Sequence, residues 1–424
     1  MFTTNLPSSS RRLLKILLVL MWVFWGFMFL KYAIAQQFSI AGCDYPKHHL
    51  AAVDISQGRN PYIGHGYLSF NYPLMTAWLF YFLVLFPVDH GEVLWDALHA
   101  GFTALSLILV VFFYRPGARG ASPGPGLCGA AEGEWIRRHW PSLSALLMAL
   151  FSPLFLDLFC GNIDPFILLL LVVMGALLMG GWDAAAGAAL ALVCLVKMTP
   201  VLFAPGLLLA GKKRTFRAWA AVMGLYAAVL LATGLWRWEW DLYTKTLPSI
   251  GFEYREISST ITAMISKLFF PVLYNTKAQF DRASTIASLA VAAVHFGILG
   301  AGWRAFRESW RMAVIFTSMT IVLVSPLLEY HHHTWEILAW LLIVVEYAEG
   351  RMGRKLFWTS AVVLLCVFEC RYWNEYGSYH PIHPYYVATL LLLGLWIVMG
   401  TAAVRKSLAL RNRKDQQPSI PAIQ

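Results

Sequence analysis

Four groups of side chains in this sequence have types and settings that suit chemistry, and Asp44 is the first. It opens the stretch GCDYPKHHLAAVDISQGRNPYIGHGYLSFNYPL, directly after an apolar run. A carboxylate at a membrane surface, over a loop rich in aromatic residues, suits a general base acting on a lipid-borne substrate. The plainer reading is an N-cap for a short interfacial helix over Lys47–Gln57, which Gly58-Arg59-Asn60-Pro61 then turns away. Lys197 is the second. In ALVCLVKMTPVLFAP a cation lies inside an apolar stretch, and Pro200 stops the helix soon after. An intramembrane lysine costs about 2.5–3.5 kcal/mol on insertion scales. It therefore predicts a polar cavity or an anionic headgroup within reach, or else pairing with a structural acid, Asp164 or Asp157.

The third group is Glu329-Tyr330-His331-His332-His333 after Ser325-Pro326. Consecutive residues of a helix point about 100° apart, so these histidines cannot face one metal. One of them can face a cavity while the others lie in the interface. The fourth is Gly161-Asn162-Ile163-Asp164-Pro165, either a plain helix connection or the floor of a polar cavity. Ser258-Ser259-Thr260, ahead of an apolar piece holding Lys267, reads as a hydroxyl-capped helix on or in the membrane.

The elements that must position these groups are membrane spans. Of 424 residues, 58% are hydrophobic and only 13% charged, and the mean hydropathy is +0.59. Soluble domains carry about 25% charge, so this is a polytopic, all-α integral membrane protein. Disorder, collagen-like repeats and a disulfide scaffold are excluded by the same figures. The net charge of +10 sits in short clusters between apolar runs, which is the pattern of cytoplasmic loops rather than of nucleic-acid binding. Six cysteines show no metal-ligand spacing. Nucleotide-binding loops and the GxSxG elbow are missing, so no cofactor or metal is expected.

A crossing needs about 20 apolar residues. The candidates are Leu13–Ala35, Tyr72–Val88, Val93–Tyr114, Pro141–Leu158, Pro165–Trp182, Ala184–Gly211, Ala218–Trp236, Ala283–Trp303, Met312–Leu328, Trp335–Tyr347, Leu356–Phe368 and Tyr385–Val404. About 11–13 spans in a single domain over residues 1–424 are expected. Placing the Lys/Arg clusters inside puts both termini and the basic tail 405–424 in the cytoplasm. The loops 36–71 and 237–282 are then external. Arg115–His139 conflicts: its charge says cytoplasmic, while strict alternation puts it outside. Either Tyr72–Val88 re-enters without crossing, or this loop is an exception.

The motifs resemble those of polyprenyl-phosphate-sugar-dependent glycosyltransferases with the GT-C fold, specifically glycosyltransferase family 87 of the alpha-1,2-mannosyltransferase type. The likeness rests on Asp44, Ala51-Ala52 and Gly58-Arg59-Asn60-Pro61-Tyr62, then Tyr72-Pro73, Gly161-Asn162, Ala186-Gly187 with Lys197-Met198-Thr199-Pro200, and Ser325-Pro326 before His332. The family usually has Gln at the place of Asn162. The resemblance implies a GT-C bundle in which Asp44 is the catalytic base, with Lys197, Lys267 and His332 at the donor phosphate. Tyr62, Tyr72, Asn162, Asp164 and His331 are expected in the substrate cavity, and Asp54 on the surface. The implied reaction is inverting transfer of a hexose, mannose by type, from a polyprenyl-phosphate donor to a hydroxyl of a glycolipid or polysaccharide on the extracytoplasmic side. A transporter or flippase of a lipid-linked sugar would share an intramembrane cation and a polar cavity, but would show related halves, and none are seen.

Overall fold

A computed structural model describes residues 44–64, 70–117, 130–149, 151, 154, 157, 161–247, 277–324, 334, 336–372 and 384–415. The expected span Leu13–Ala35, the segment Ser258–Thr260 and the residues Lys267, His331 and His332 lie outside these. Among the described residues every regular element is helical. Three helices are long and apolar enough to cross a bilayer: His90–Phe113, Lys213–Thr233 and Thr389–Asn412. Six more apolar helices are shorter. The protein is thus a helical membrane protein, with fewer full-length helices among the described residues than the 11–13 spans expected.

The first described helix, α1 (Tyr45–Ser56), falls where a short helix over Lys47–Gln57 was expected and carries a proline in its first turn. The expected span Tyr72–Val88 is corrected. It consists of α2 (Leu74–Leu79) and a 3₁₀ turn (Tyr81–Leu85), too short to cross about 30 Å. Pro73 and Pro87 bound this piece. α3 (Val88–Phe113) then runs the full depth, and α4 (Ala130–Ala149) follows. α4 corrects the expected loop Arg115–His139, whose second half is helical.

α5 (Asp164–Gly180) and α6 (Asp183–Val196) form a tight antiparallel hairpin. Gly181 takes the left-handed conformation at φ +75°, and Trp182 N–H reaches back to the Leu177 carbonyl at 2.9 Å. This is the helix-ending arrangement glycine makes inexpensive. The expected span Ala184–Gly211 is broken after α6: Lys197 is extended (φ −148°, ψ 128°), followed by a 3₁₀ turn (Thr199–Leu202) and α7 (Phe203–Leu209). The hairpin geometry therefore sets Asp164, which begins α5, beside Lys197, which ends α6.

The remaining described helices are α8 (Lys213–Thr233), α9 (Trp236–Asp241) with a π turn (Leu242–Thr246), α10 (Lys277–Ala301) and α11 (Trp303–Glu308). After them come α12 (Trp310–Val324), α13 (Ile337–Ala348), α14 (Arg354–Tyr372) and α15 (Pro384–Asp415). α15 continues through the first half of the expected basic tail. α6 packs closely on α8 because Gly187 leaves room for the Thr215 backbone carbonyl, where a methyl group would collide. Such small-residue contacts are how helices approach where lipid provides no hydrophobic drive. Every residue of α13 is buried, as are Ala313–Leu323 of α12. Leu105, Ile108 and Phe112 of α3 and Leu225 and Leu231 of α8 instead point outward, toward acyl chains.

Candidate active site

Asp44 immediately precedes α1, yet its side chain makes no capping hydrogen bond there. Its carboxylate turns inward instead. Oδ1 lies 2.6 Å from Lys47 Nζ, one helical turn on, and Oδ2 accepts from Asn162 Nδ2 at 2.8 Å. Asn162 occupies the turn entering α5, made possible by Gly161 at φ +64°. The Trp95 indole N–H donates to the Gly161 carbonyl at 2.7 Å and fixes this turn against α3. The Asn162 side-chain oxygen accepts from the Asp164 backbone N–H at 3.2 Å. Asp164 in turn holds Lys197 at 2.7 Å across the α5–α6 hairpin.

A continuous polar line therefore runs Asp44, Asn162, Asp164, Lys197. Asn162 and Asp164 are fully buried, and the Lys197 side chain keeps 16% of its surface exposed. The pairing of the intramembrane lysine with a structural acid, one of the sequence alternatives, is what the fold contains. Both groups are taken from water, so their attraction repays desolvation only with good geometry, and 2.7 Å provides it. Asp157, also fully buried, joins the group electrostatically through Asp164, Lys197 and Asp44, with the Thr334 hydroxyl beside it. Among the described residues no metal-ligand cluster exists.

Aromatic rings close the group from above. His48, on the Asp44 face of α1, packs on Tyr72 at 4.8 Å and Trp95 at 4.9 Å. His99 meets Trp95 at 4.5 Å. Burial pushes the His48 imidazole down to about 3. Asp44 opposes that shift, and Lys47 and Lys197 add to it.

The sequence over residues 70–327 matches the family model of glycosyltransferase family 87. That is well over half of the chain. The chain belongs to glycosyltransferase family 87. The protein is therefore a membrane glycosyltransferase. Tyr72, Asn162, Asp164 and Lys197 fall within the match, whereas Asp44 and Tyr62 precede it and His331 and His332 follow it. No curated protein matches the chain.

The transferase holds a second polar knot that the sequence reading missed. Glu239 of α9 accepts from the Leu74 backbone N–H at 2.9 Å, from Tyr243 at 3.1 Å, and from Tyr62 and Tyr226 at 3.4 Å. Burial raises its carboxyl above the usual 4.5, while those donors pull it back. The Tyr62 hydroxyl also donates to the Tyr72 carbonyl at 2.9 Å. Tyr62 and Tyr72 thus sit together, but the Tyr62 hydroxyl is directed to the Tyr72 carbonyl and Glu239 rather than to Asp44. Asp54, expected on the surface, is buried at 3% exposure and ion-paired to Arg59 at 2.7 Å.

The signals were present in the sequence. His48 lies four residues after Asp44, one face of a helix. Asp157 in LFLDLF is an acid in an apolar run, the same signal that singled out Lys197. Glu239 is an acid between tryptophans in WRWEW, with Tyr243 one helical turn on, but nothing local announces Tyr62 and Tyr226, which come from separate segments.

A third polar group lies at the other end of α13. Arg311 reaches Glu346 at 3.0 Å and Glu349 at 2.8 Å, and Arg351 joins both acids. The Gly117 N–H bonds Glu349 at 3.2 Å, and Glu132 bonds Tyr347 and Arg354. Gly117 and Glu132 of the segment 115–139 therefore sit with the Arg351/Arg354 cluster.

Proposed function

We propose that the transferase moves a hexose, mannose by family type, from a polyprenyl-phosphate donor to a hydroxyl of a glycolipid or polysaccharide at the extracytoplasmic face of the cell membrane, with inversion. Asp44 takes the proton from the acceptor hydroxyl as that oxygen attacks the anomeric carbon. The lipid phosphate departs as an anion, so it needs positive charge rather than a general acid. Lys197 provides that charge, with Lys267 and His332 as further phosphate partners and His331 in the same cavity. One carboxylate base suffices, in contrast to hydrolytic glycosidases. Asp164 and Asn162 hold the two working groups in register, and Tyr62 and Tyr72 shape the loop above them.

The observation that carries this reading is the unbroken line from Asp44 to Lys197, which brings a carboxylate and an intramembrane cation to one end of the bundle. The basic Arg351/Arg354 cluster at the opposite end supports an extracytoplasmic site and cytoplasmic termini.

The test is transfer from radiolabelled polyprenyl-phosphate mannose in detergent, where transport cannot register. Asp44→Asn is expected to lower the rate by about 10²- to 10⁴-fold, and Lys197→Met to weaken donor use. Undiminished transfer by folded Asp44→Asn overturns the base assignment, and unaltered KM and kcat in Lys197→Met overturn the phosphate role.

A further inference from the structure

The Asp44–Lys197 line leaves several buried polar atoms unused. Asp157 is fully buried, and apart from the Thr334 hydroxyl beside it neither carboxylate oxygen has a hydrogen-bond partner among the described residues. Its backbone carbonyl accepts from the Asn162 N–H at 3.1 Å, which places it beside the same group. His48 and His99 are also fully buried, and none of their ring nitrogens is hydrogen-bonded among the described residues. His99 interacts with His48, Asp164 and Asp44.

Buried polar atoms without partners are costly, at roughly 1–3 kcal/mol each, and proteins keep them where a ligand supplies the missing bonds. The ligand's chemistry can be narrowed. A phosphate only accepts hydrogen bonds when ionised, and it would meet the like charges of Asp44, Asp157 and Asp164. A cation would meet Lys47 and Lys197. Sugar hydroxyls donate and accept, so they satisfy a carboxylate and either nitrogen of a neutral imidazole.

We propose that Asp157, with the ring edges of His99 and His48, reads the hydroxyls of the transferred sugar and sets donor-sugar specificity. This rests on the lipid-phosphate hexose reading above. The ring lying between a base and the leaving phosphate is the donor's, which is why Asp157 is assigned to the donor and not to the acceptor.

The test compares wild type, Asp157→Asn, Asp157→Leu and His99→Phe with polyprenyl-phosphate mannose and its 2-, 3-, 4- and 6-deoxy analogues. For Asp157→Asn, kcat/KM should fall about 10- to 100-fold with mannose, the range set by a hydrogen bond to a charged group. The loss should largely vanish with the one analogue lacking the hydroxyl that Asp157 reads. The ligand-free unfolding temperature should stay level or rise in Asp157→Asn, because a buried acid with too few hydrogen-bond partners has been removed. A uniform loss across all donors with a lowered unfolding temperature assigns Asp157 to structure and overturns the proposal, as does unchanged kcat/KM. Asp157→Asn keeps the side-chain shape if Asp157→Leu does not fold, and His99→Phe probes the subsite independently. Wild type inactive with every lipid-phosphate hexose would defeat the donor reading itself, an outcome distinct from a wild type that turns over while Asp157→Asn loses activity uniformly.

Discussion

Asn162 is a neutral donor holding one oxygen of Asp44, while Lys47 holds the other. On the proposed mechanism its amide aims the base rather than taking the proton. Asn162→Ala should therefore lower kcat about 10- to 100-fold, the equivalent of about 1.5–3 kcal/mol for a hydrogen bond to a charged group. Asn162→Gln keeps the amide and should lose less, and equal losses in the two variants would count against an aiming role. His48 makes a pH prediction. Folding lowers its pKa from 6.5 to about 3, so the unfolded chain binds a proton that the folded chain refuses. Stability is then greatest above pH 6.5 and is lost as pH falls from 6.5 toward 3. The drop in unfolding temperature between pH 7 and pH 5 should be smaller in His48→Phe than in wild type. An identical drop would mean that His48 is not held neutral.

Between residue and bundle stands α2, a short wedge whose two ends are tied to different structures. At its start the Leu74 N–H is taken by Glu239, and Met75 N–H donates to Tyr226 at 3.3 Å. These are the donors a helix N-terminus leaves without partners. In its body, Thr76 Oγ1 donates to the Val196 carbonyl at 2.9 Å, the last residue of α6 before Lys197. Glu239 and the end of α6 are thus both tied to α2. Glu239→Ala and Thr76→Val should each lower stability, and their effects should not add. A coupling of about 0.5–3 kcal/mol is expected for residues sharing one element, read from unfolding of the two single variants and the double variant in detergent. Strict additivity would show that the tyrosine knot and the α6 terminus are independent.

For the whole molecule the arrangement is polarised. α13 begins beside Thr334 and Asp157 and ends in the Arg311–Glu346–Glu349–Arg351 knot, and its 12 residues span about 18 Å at 1.5 Å per residue. One polar group lies at each end of a buried apolar rod. The proposed topology makes these ends face opposite sides of the membrane. Ile63→Cys, near the Asp44 end and 56% exposed, should react with an impermeant maleimide on intact cells. Arg138→Cys and Lys355→Cys, both at exposed positions near the arginine knot, should react only in inverted vesicles. Labelling of all three from one side would refute the polarity.

Much of this protein was legible without coordinates because membrane insertion is governed by local quantities. Apolar run length, the scarcity of charge and the clustering of basic residues depend on the chain alone, and they fixed the helical membrane class. An acid after an apolar run and a lysine inside one stand out against such a background, so Asp44 and Lys197 could be named from the sequence. The same rules left Tyr72–Val88 open between crossing and re-entering, because an apolar run of spanning length does not reveal that its helix stops at Phe80. They also failed for Glu239, whose partners Tyr62, Leu74, Tyr226 and Tyr243 come together only when α8, α9 and the first loop pack. That Lys197 meets Asp164, and that Asn162 links that pair to Asp44, was decided by the α5–α6 hairpin closing through Gly181. Such contacts belong to the tertiary structure, because hydrogen bonds and ion pairs act over a few ångströms whatever the separation along the chain.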